Sequence, residues 1–170
     1  MNFKYFTATL VAFLFFPFLV NAQNCEPGEK ALFKGLTEKK QVLICASPSK
    51  PPFQKIEYRF GSTAKVELSY SADKVNGKKF YAGNEALDPR SSVDYLWFVN
   101  GDTQYSIFEC TGGNCPSETK LLVVSKGKKI VARIKIKEGA FDLGGVTDFY
   151  TSSDPLIQIK DTDGFTLFKK

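Results

Sequence analysis

The stretch from Lys55 to Tyr70 narrows the folding options of this chain more than any other. In KIEYRF (55–60), Ile56, Tyr58 and Phe60 alternate with Lys55, Glu57 and Arg59; in KVELSY (65–70), Val66, Leu68 and Tyr70 alternate with Lys65, Glu67 and Ser69. A period of two sends apolar side chains to one face of a strand and charged ones to the other, which is the pattern of a half-buried sheet. Matching the apolar faces predicts a hairpin with Tyr58 opposite Leu68, Arg59 opposite Glu67, and GSTAK (61–65) as a five-residue turn.

The same punctuation recurs downstream. VDYLWFVN (93–100) and TQYSIFEC (103–110) flank Gly101-Asp102, a strong hairpin signal. The first of these strands is apolar on both faces, so it belongs in the middle of a sheet. TKLLVVSK (119–126) and KIVARIKIK (129–137) flank Gly127, and LIQIK (156–160) with FTLFK (165–169) flanks DTDG. SPSKPP (47–52), AGNEALDPRSS (82–92) and EGAFDLGG (138–145) read as loops, the second with room for a short helical turn over 83–90. No stretch carries a long helical period. The expectation is an all-β, antiparallel sandwich or barrel of about 8–10 short strands. Its core should include Tyr58, Phe60, Leu68, Leu96, Phe98, Ile107 and Ile134.

Residues 1–22 read as a secretory signal. Lys4 is followed by an apolar run from Phe6 to Val20 and then by Val20-Asn21-Ala22, the small-residue pattern of a cleavage site. Thr7, Thr9 and Pro17 interrupt the run, which is short of the ~20 apolar residues that span a bilayer. Ala22-Gln23-Asn24 before Cys25 does not form a lipoprotein box, so no stable membrane anchor is expected. Residues 23–170 should form a single β domain, periplasmic or secreted after cleavage near Ala22. Removing Lys4 lowers the net charge of the chain from +5 to +4.

Export makes the four cysteines, Cys25, Cys45, Cys110 and Cys115, a disulfide framework. Zinc is the alternative, but the chain has no histidine and no paired C-x2-C knuckles. TQYSIFEC enters the loop that holds Cys115 and TKLLVV leaves it, an antiparallel arrangement that favours Cys110–Cys115, worth about 2 kcal/mol by loop closure. Cys25–Cys45 is then the second bridge, worth about 3 kcal/mol.

Cys45, YRFGSTAKVELSY (58–70), FVNGDTQYSIFEC (98–110) and GKKIVARIKI (127–136) together resemble a family of small exported bacterial proteins. In that family a strand ending in Cys leads to a Tyr-x-Phe-Gly…Glu-Leu hairpin and then to an Asn-Gly-x-x-Tyr hairpin. The resemblance covers residues 30–137, rests on structural motifs, and implies no assigned activity. More loosely, the architecture is similar to the periplasmic lysozyme inhibitors, small disulfide-bonded β-proteins. Their Ser-Gly and Tyr-rich loop motifs are not found in this chain.

Chemistry narrows the choice further. Without histidine there is no Ser-His-Asp arrangement and no imidazole metal ligand. Asp142 with Asp148, or Asp161 with Asp163, are the candidate carboxylate pairs, but solvated loop acids are the simpler reading of both. DTDG lacks the glycine and distal glutamate of a calcium loop. The expected function is therefore a non-catalytic binding protein of the bacterial envelope, without cofactor or metal. Its expected partner is an envelope protein, the protein itself serving as an inhibitor or immunity protein against a wall-acting enzyme. Many animal-type lysozymes are basic, so a target of neutral or acidic charge suits a +4 chain better. The expected contact residues are Asn84, Asp88 and Arg90 in one loop and Thr111, Gly112, Gly113 and Asn114 in the stapled one. The alternative is a small-ligand or anionic-glycan-binding barrel that uses Lys129, Arg133, Lys135 and Lys137, which alternate with inward Ile130, Ala132, Ile134 and Ile136. Those lysines could equally guard an edge strand against aggregation. Nucleic acid is not expected, because the basic strand has no interleaved aromatics. Intact mass of the exported protein should correspond to a chain beginning at Gln23; retention of residues 1–22 would refute the signal assignment.

Overall fold

The computed structural model describes residues 24–141 and 154–160. The signal segment, Asp142, Asp148, Asp161, Asp163 and the expected strand at 165–169 lie outside them. Eleven strands occur among the described residues: β1 (Lys30–Leu36), β2 (Gln41–Ser47), β3 (Lys55–Ser62), β4 (Lys65–Asp73), β5 (Phe80–Asp88), β6 (Ser91–Asn100), β7 (Thr103–Gly112), β8 (Lys120–Lys126), β9 (Lys129–Lys135), β10 (Glu138–Phe141) and β11 (Ile157–Ile159). They form a five-stranded sheet, β10-β1-β2-β3-β4, and a six-stranded sheet, β11-β5-β6-β7-β8-β9. Every pairing is antiparallel except β11 with β5. The fold is a β-sandwich braced by Cys25–Cys45 and Cys110–Cys115. Among the described residues no helix is long and apolar enough to cross a membrane.

Three strands depart from the sequence reading, each for a local reason. In β1, Leu32 is the extra residue of a bulge against β2, so Leu32 and Phe33 are both buried and the alternation is broken. In β5, AGN looked like loop, but Gly83 lies beneath the ring of Tyr95 on β6; a Cβ there would sit 2.2 Å from the ring. The stretch 83–90, considered for a helical turn, is strand to Asp88 and then the turn into β6. EGAF, whose composition favours a loop, pairs with β1 as β10.

The β3–β4 register is shifted from expectation. Tyr58 faces Tyr70, Arg59 faces Ser69 and Phe60 faces Leu68. The strands run on to Ser62↔Lys65, leaving a tight two-residue turn, and a bulge at Glu67 absorbs the mismatch. Glu67, left out of the ladder, meets Lys40 at 2.5 Å.

The core lies between the sheets and is centred on Phe98. Tyr70 (4.3 Å), Tyr58 (4.8 Å), Tyr105 (5.1 Å) and Phe80 (5.4 Å) surround its ring. Of the expected core, Tyr58, Leu96, Phe98 and Ile107 are buried, while Phe60, Leu68 and Ile134 are half-buried at its margin. Burial pushes the Tyr58 phenol well above its ordinary range. The six-stranded sheet also buries its far face, through Val93, Tyr95, Trp97, Phe108, Leu121 and Val123. The doubly apolar β6 is thus central, as its sequence requires. Asp154, itself buried, accepts hydrogen bonds from the backbone N–H groups of Phe53 (2.8 Å) and Leu156 (2.9 Å), tying two distant segments together.

The outer face of the five-stranded sheet carries a charged latch. Arg59, only 4% exposed, lies 3.1 Å from Glu57 Oε1 through Nε and donates to Glu57 Oε2 at 3.2 Å through its other nitrogen. The Nε contact is an ion pair whose angle is too poor for a hydrogen bond. Glu29 lies 3.9 Å away and the Asn24 carbonyl accepts at 3.4 Å, so the arginine holds the segment that Cys25–Cys45 anchors covalently. Burial works to raise the Glu57 carboxyl, but Arg59 and Lys55 outweigh it and hold it below its usual range. A depressed carboxyl stabilises the fold above its ordinary pKa and loses that contribution as pH falls through the folded value. Arg59→Ala strands Glu57 beside a buried surface and should cost about 3 kcal/mol in chemical denaturation; a loss under about 0.5 kcal/mol, typical of surface changes, would mean the latch is solvated.

Candidate binding surfaces

Two surfaces gather the residues singled out by sequence. The first is at the end of the six-stranded sheet where the β5–β6 turn meets the stapled loop. Asp88 Oδ1 accepts the Arg90 N–H at 2.7 Å across Pro89, which fixes the turn. Thr111 and Gly112, at the end of β7, pair with Ser92 and Ser91 of β6. Asn114 N–H donates to the buried Ser91 Oγ at 2.8 Å, and Ser92 and Thr111 hydroxyls lie 3.4 Å apart. Gly112 has φ +111°, and a Cβ there would meet the Arg90 carbonyl at 2.0 Å, so only glycine lets the turns approach this closely. Asp88, Arg90, Thr111 and Gly112 thereby share a shallow recess of about 470 Å³.

The expected contact set is only partly assembled there. Asn84 is not in a loop but on β5, where it donates to Asp94 Oδ1 at 2.7 Å. Gly113 and Asn114 are exposed on the stapled loop but do not line the recess. Thr111 and Gly112 belong to a strand rather than to the loop.

The second surface lies at the β9 edge of the six-stranded sheet. Arg133 and Lys135 from β9, and Lys137 just beyond it, line a groove of about 430 Å³ together with the β1–β2 turn and Phe60. Lys129 does not. A bulge at Val131 changes the register of β9, since Ser125 faces Ile130 while Val124 faces Ala132. Ile130 therefore packs with the far-face cluster and Ile134 with the central core, instead of sharing one inward face. β9 is also the edge of its sheet. Lys39 and Lys40 were not singled out by sequence, and the alternation around Phe60 marks it for the core rather than for a groove.

Asp94, which sequence reasoning also passed over, faces Glu109 across β6 and β7. Burial raises its carboxyl pKa and the Glu109 charge adds to that, against the lowering effect of the Asn84 hydrogen bond. Glu109 is in turn bridged to Lys120 at 3.1 Å. Cys25, Glu29 and Cys45 place ligand-type atoms within 4.8 Å of one another, but both sulfurs are spent in the disulfide. The two disulfides fit an oxidising, extracellular-type compartment. Comparison with protein-family models, with curated proteins and with solved structures finds no match.

A carboxyl whose folded pKa is raised contributes stability in acid and loses it as pH rises through that value. Asp94→Asn should therefore raise the melting temperature at neutral pH, and the gain should vanish below about pH 4, where aspartate is itself protonated. A variant less stable than the parent at neutral pH would show that the ionised carboxylate is needed.

Proposed function

We propose that this protein is an exported, non-catalytic binding protein that acts in the periplasm, its signal segment removed near Ala22. The observation that carries the reading is the ledge made by Asp88–Arg90 and Thr111–Gly112. Two turns from neighbouring strands are clamped to each other by the Ser91–Asn114 hydrogen bond, and the Cys110–Cys115 bridge closes the loop behind them. Clamped turns lose little conformational entropy when a partner docks. The recess is shallow and bordered by an acid and a base, which suits another protein better than a small apolar ligand. The partner is then an envelope protein, and a wall-acting enzyme held in check by inhibition or immunity is the form this takes. The absence of histidine from the sequence and the disulfide-braced scaffold support binding without catalysis.

The test is capture from envelope extracts identified by mass spectrometry, followed by affinity measurement with the captured partner. Arg90→Ala should weaken binding by roughly tenfold, about 1.4 kcal/mol, without moving the melting temperature. Reduction of Cys110–Cys115 should weaken it before the core unfolds. Undiminished affinity in both cases would remove the ledge from the site, and robust turnover of peptidoglycan by the purified protein would overturn the non-catalytic reading.

A further inference from the structure

We propose that the groove between the β1–β2 turn and β9 binds an acidic glycan chain, at a site separate from the ledge and independent of it. Cations from three parts of the chain converge there: Lys39 and Lys40 from the turn, Arg133 and Lys135 from β9, and Lys137 from the crossover to β10. Phe60 and Ile134, both half-buried, provide an apolar floor.

The backbone carrying these charges is pinned on both sides. Thr37 N–H donates to the Lys40 carbonyl at 2.8 Å, and the Thr37 hydroxyl accepts the Lys40 N–H at 2.9 Å, which closes the turn. Lys137 N–H donates to the Leu36 carbonyl at 2.8 Å and Ile136 N–H to the Lys120 carbonyl at 3.0 Å, which fixes the crossover against both sheets. Five cations held together repel one another, and the fold offsets this only in part. Lys40 meets Glu67 at 2.5 Å, Lys137 meets Glu38 at 3.0 Å and Arg133 meets Glu118 at 4.0 Å, while Lys39 and Lys135 have no ion pair among the described residues. The acids in these pairs are themselves 38%, 74% and 44% exposed, and solvent-facing pairs of this kind exchange readily for a ligand's anions.

Spacing points to a chain instead of a lone anion. Alternate residues along a strand are about 7 Å apart, so Arg133 and Lys135 on β9 are already spaced by about that much, and Lys137 follows beyond the strand end. A single phosphate would reach one or two of them; a polymer with regularly placed charges reaches all. The floor suits the C–H faces of sugar rings. It does not suit a run of stacked bases, because Phe60 is the one aromatic among the described residues that line the groove.

The bulge at Val131 supplies an internal control. Lys129 carries the same charge on the same strand but stands outside the groove. With the disulfides intact, a heparin octasaccharide titrated by calorimetry at low salt should bind, and high salt should weaken it. Lys39→Glu with Lys135→Glu should weaken binding by at least roughly tenfold, and Lys129→Glu should leave it within about twofold. A second pair, Lys39→Ala with Lys135→Ala, should lower affinity in the same order while melting like the parent. The proposal is overturned if Lys129→Glu weakens binding as much as the groove variants, which would mean diffuse charge attraction. Poly-glutamate binding as tightly as the octasaccharide would assign the groove to acidic peptides, and no binding by the unsubstituted protein would remove the site.

Discussion

The packing of Phe98 between the two sheets is the contact on which the rest of the molecule depends. Its ring touches aromatic neighbours from β3, β4, β5 and β7, so four strands of both sheets are joined through one side chain. Large aromatics bury much area with few rotors, and tilted or offset ring contacts add to that burial. Because β6 also buries Val93, Tyr95 and Trp97 on its other side, the strand is fixed from both faces. Everything at the ends and edges of the six-stranded sheet is positioned relative to it.

Against that fixed centre, the two candidate surfaces are built by different means. The ledge is an end effect: β5 and β7 end where β6 begins, and backbone closure at Gly112 brings two turns into register. The groove is an edge effect. It forms where the chain leaves β9 at the rim of one sheet and crosses to β10 at the rim of the other. The crossover brings lysines nearly a hundred residues from the β1–β2 turn alongside it. Arg59 has a comparable role on the outer face of the five-stranded sheet, where charge pairing and a disulfide hold residues 24–29 together.

What the sequence discloses depends on whether the signal is local. Strands β3, β4 and β9 show in the alternation of their side chains, β6 in a run apolar on both faces, and Gly101 and Gly127 mark the hairpin turns of β6–β7 and β8–β9. Both disulfides follow from the spacing of the cysteines once an oxidising compartment is assumed. β1 and β5 were hidden because a bulge at Leu32 and the small residues Ala82 and Gly83 erase the alternation. The Tyr58 register failed by two residues because the turn tightened and Glu67 bulged. At the candidate sites, residue types were legible but not their grouping. Asp88 and Arg90 could be read as turn residues, yet their contact with Thr111 and Gly112 depends on strand ends meeting. Lys129 looked equivalent to Arg133 and Lys135 until the Val131 bulge separated them, and Lys39 and Lys40 carry no local sign of their role.

Trp97 is the one tryptophan of the chain, and its surroundings give it an optical use. Its ring stacks on Tyr81 at 4.3 Å, its Nε1–H points to the Lys160 carbonyl at a long 3.4 Å, and the Lys160 ammonium stands 5.6 Å from the ring. Lys160 follows β11, the short parallel strand that adds a distant part of the chain to the edge of β5. A cation beside the indole and a nearly buried ring set the energy of its excited state, and both change if β11 detaches. Ultraviolet emission from the unlabelled protein therefore reports on the seating of one late strand, separately from the melting of the aromatic core around Phe98.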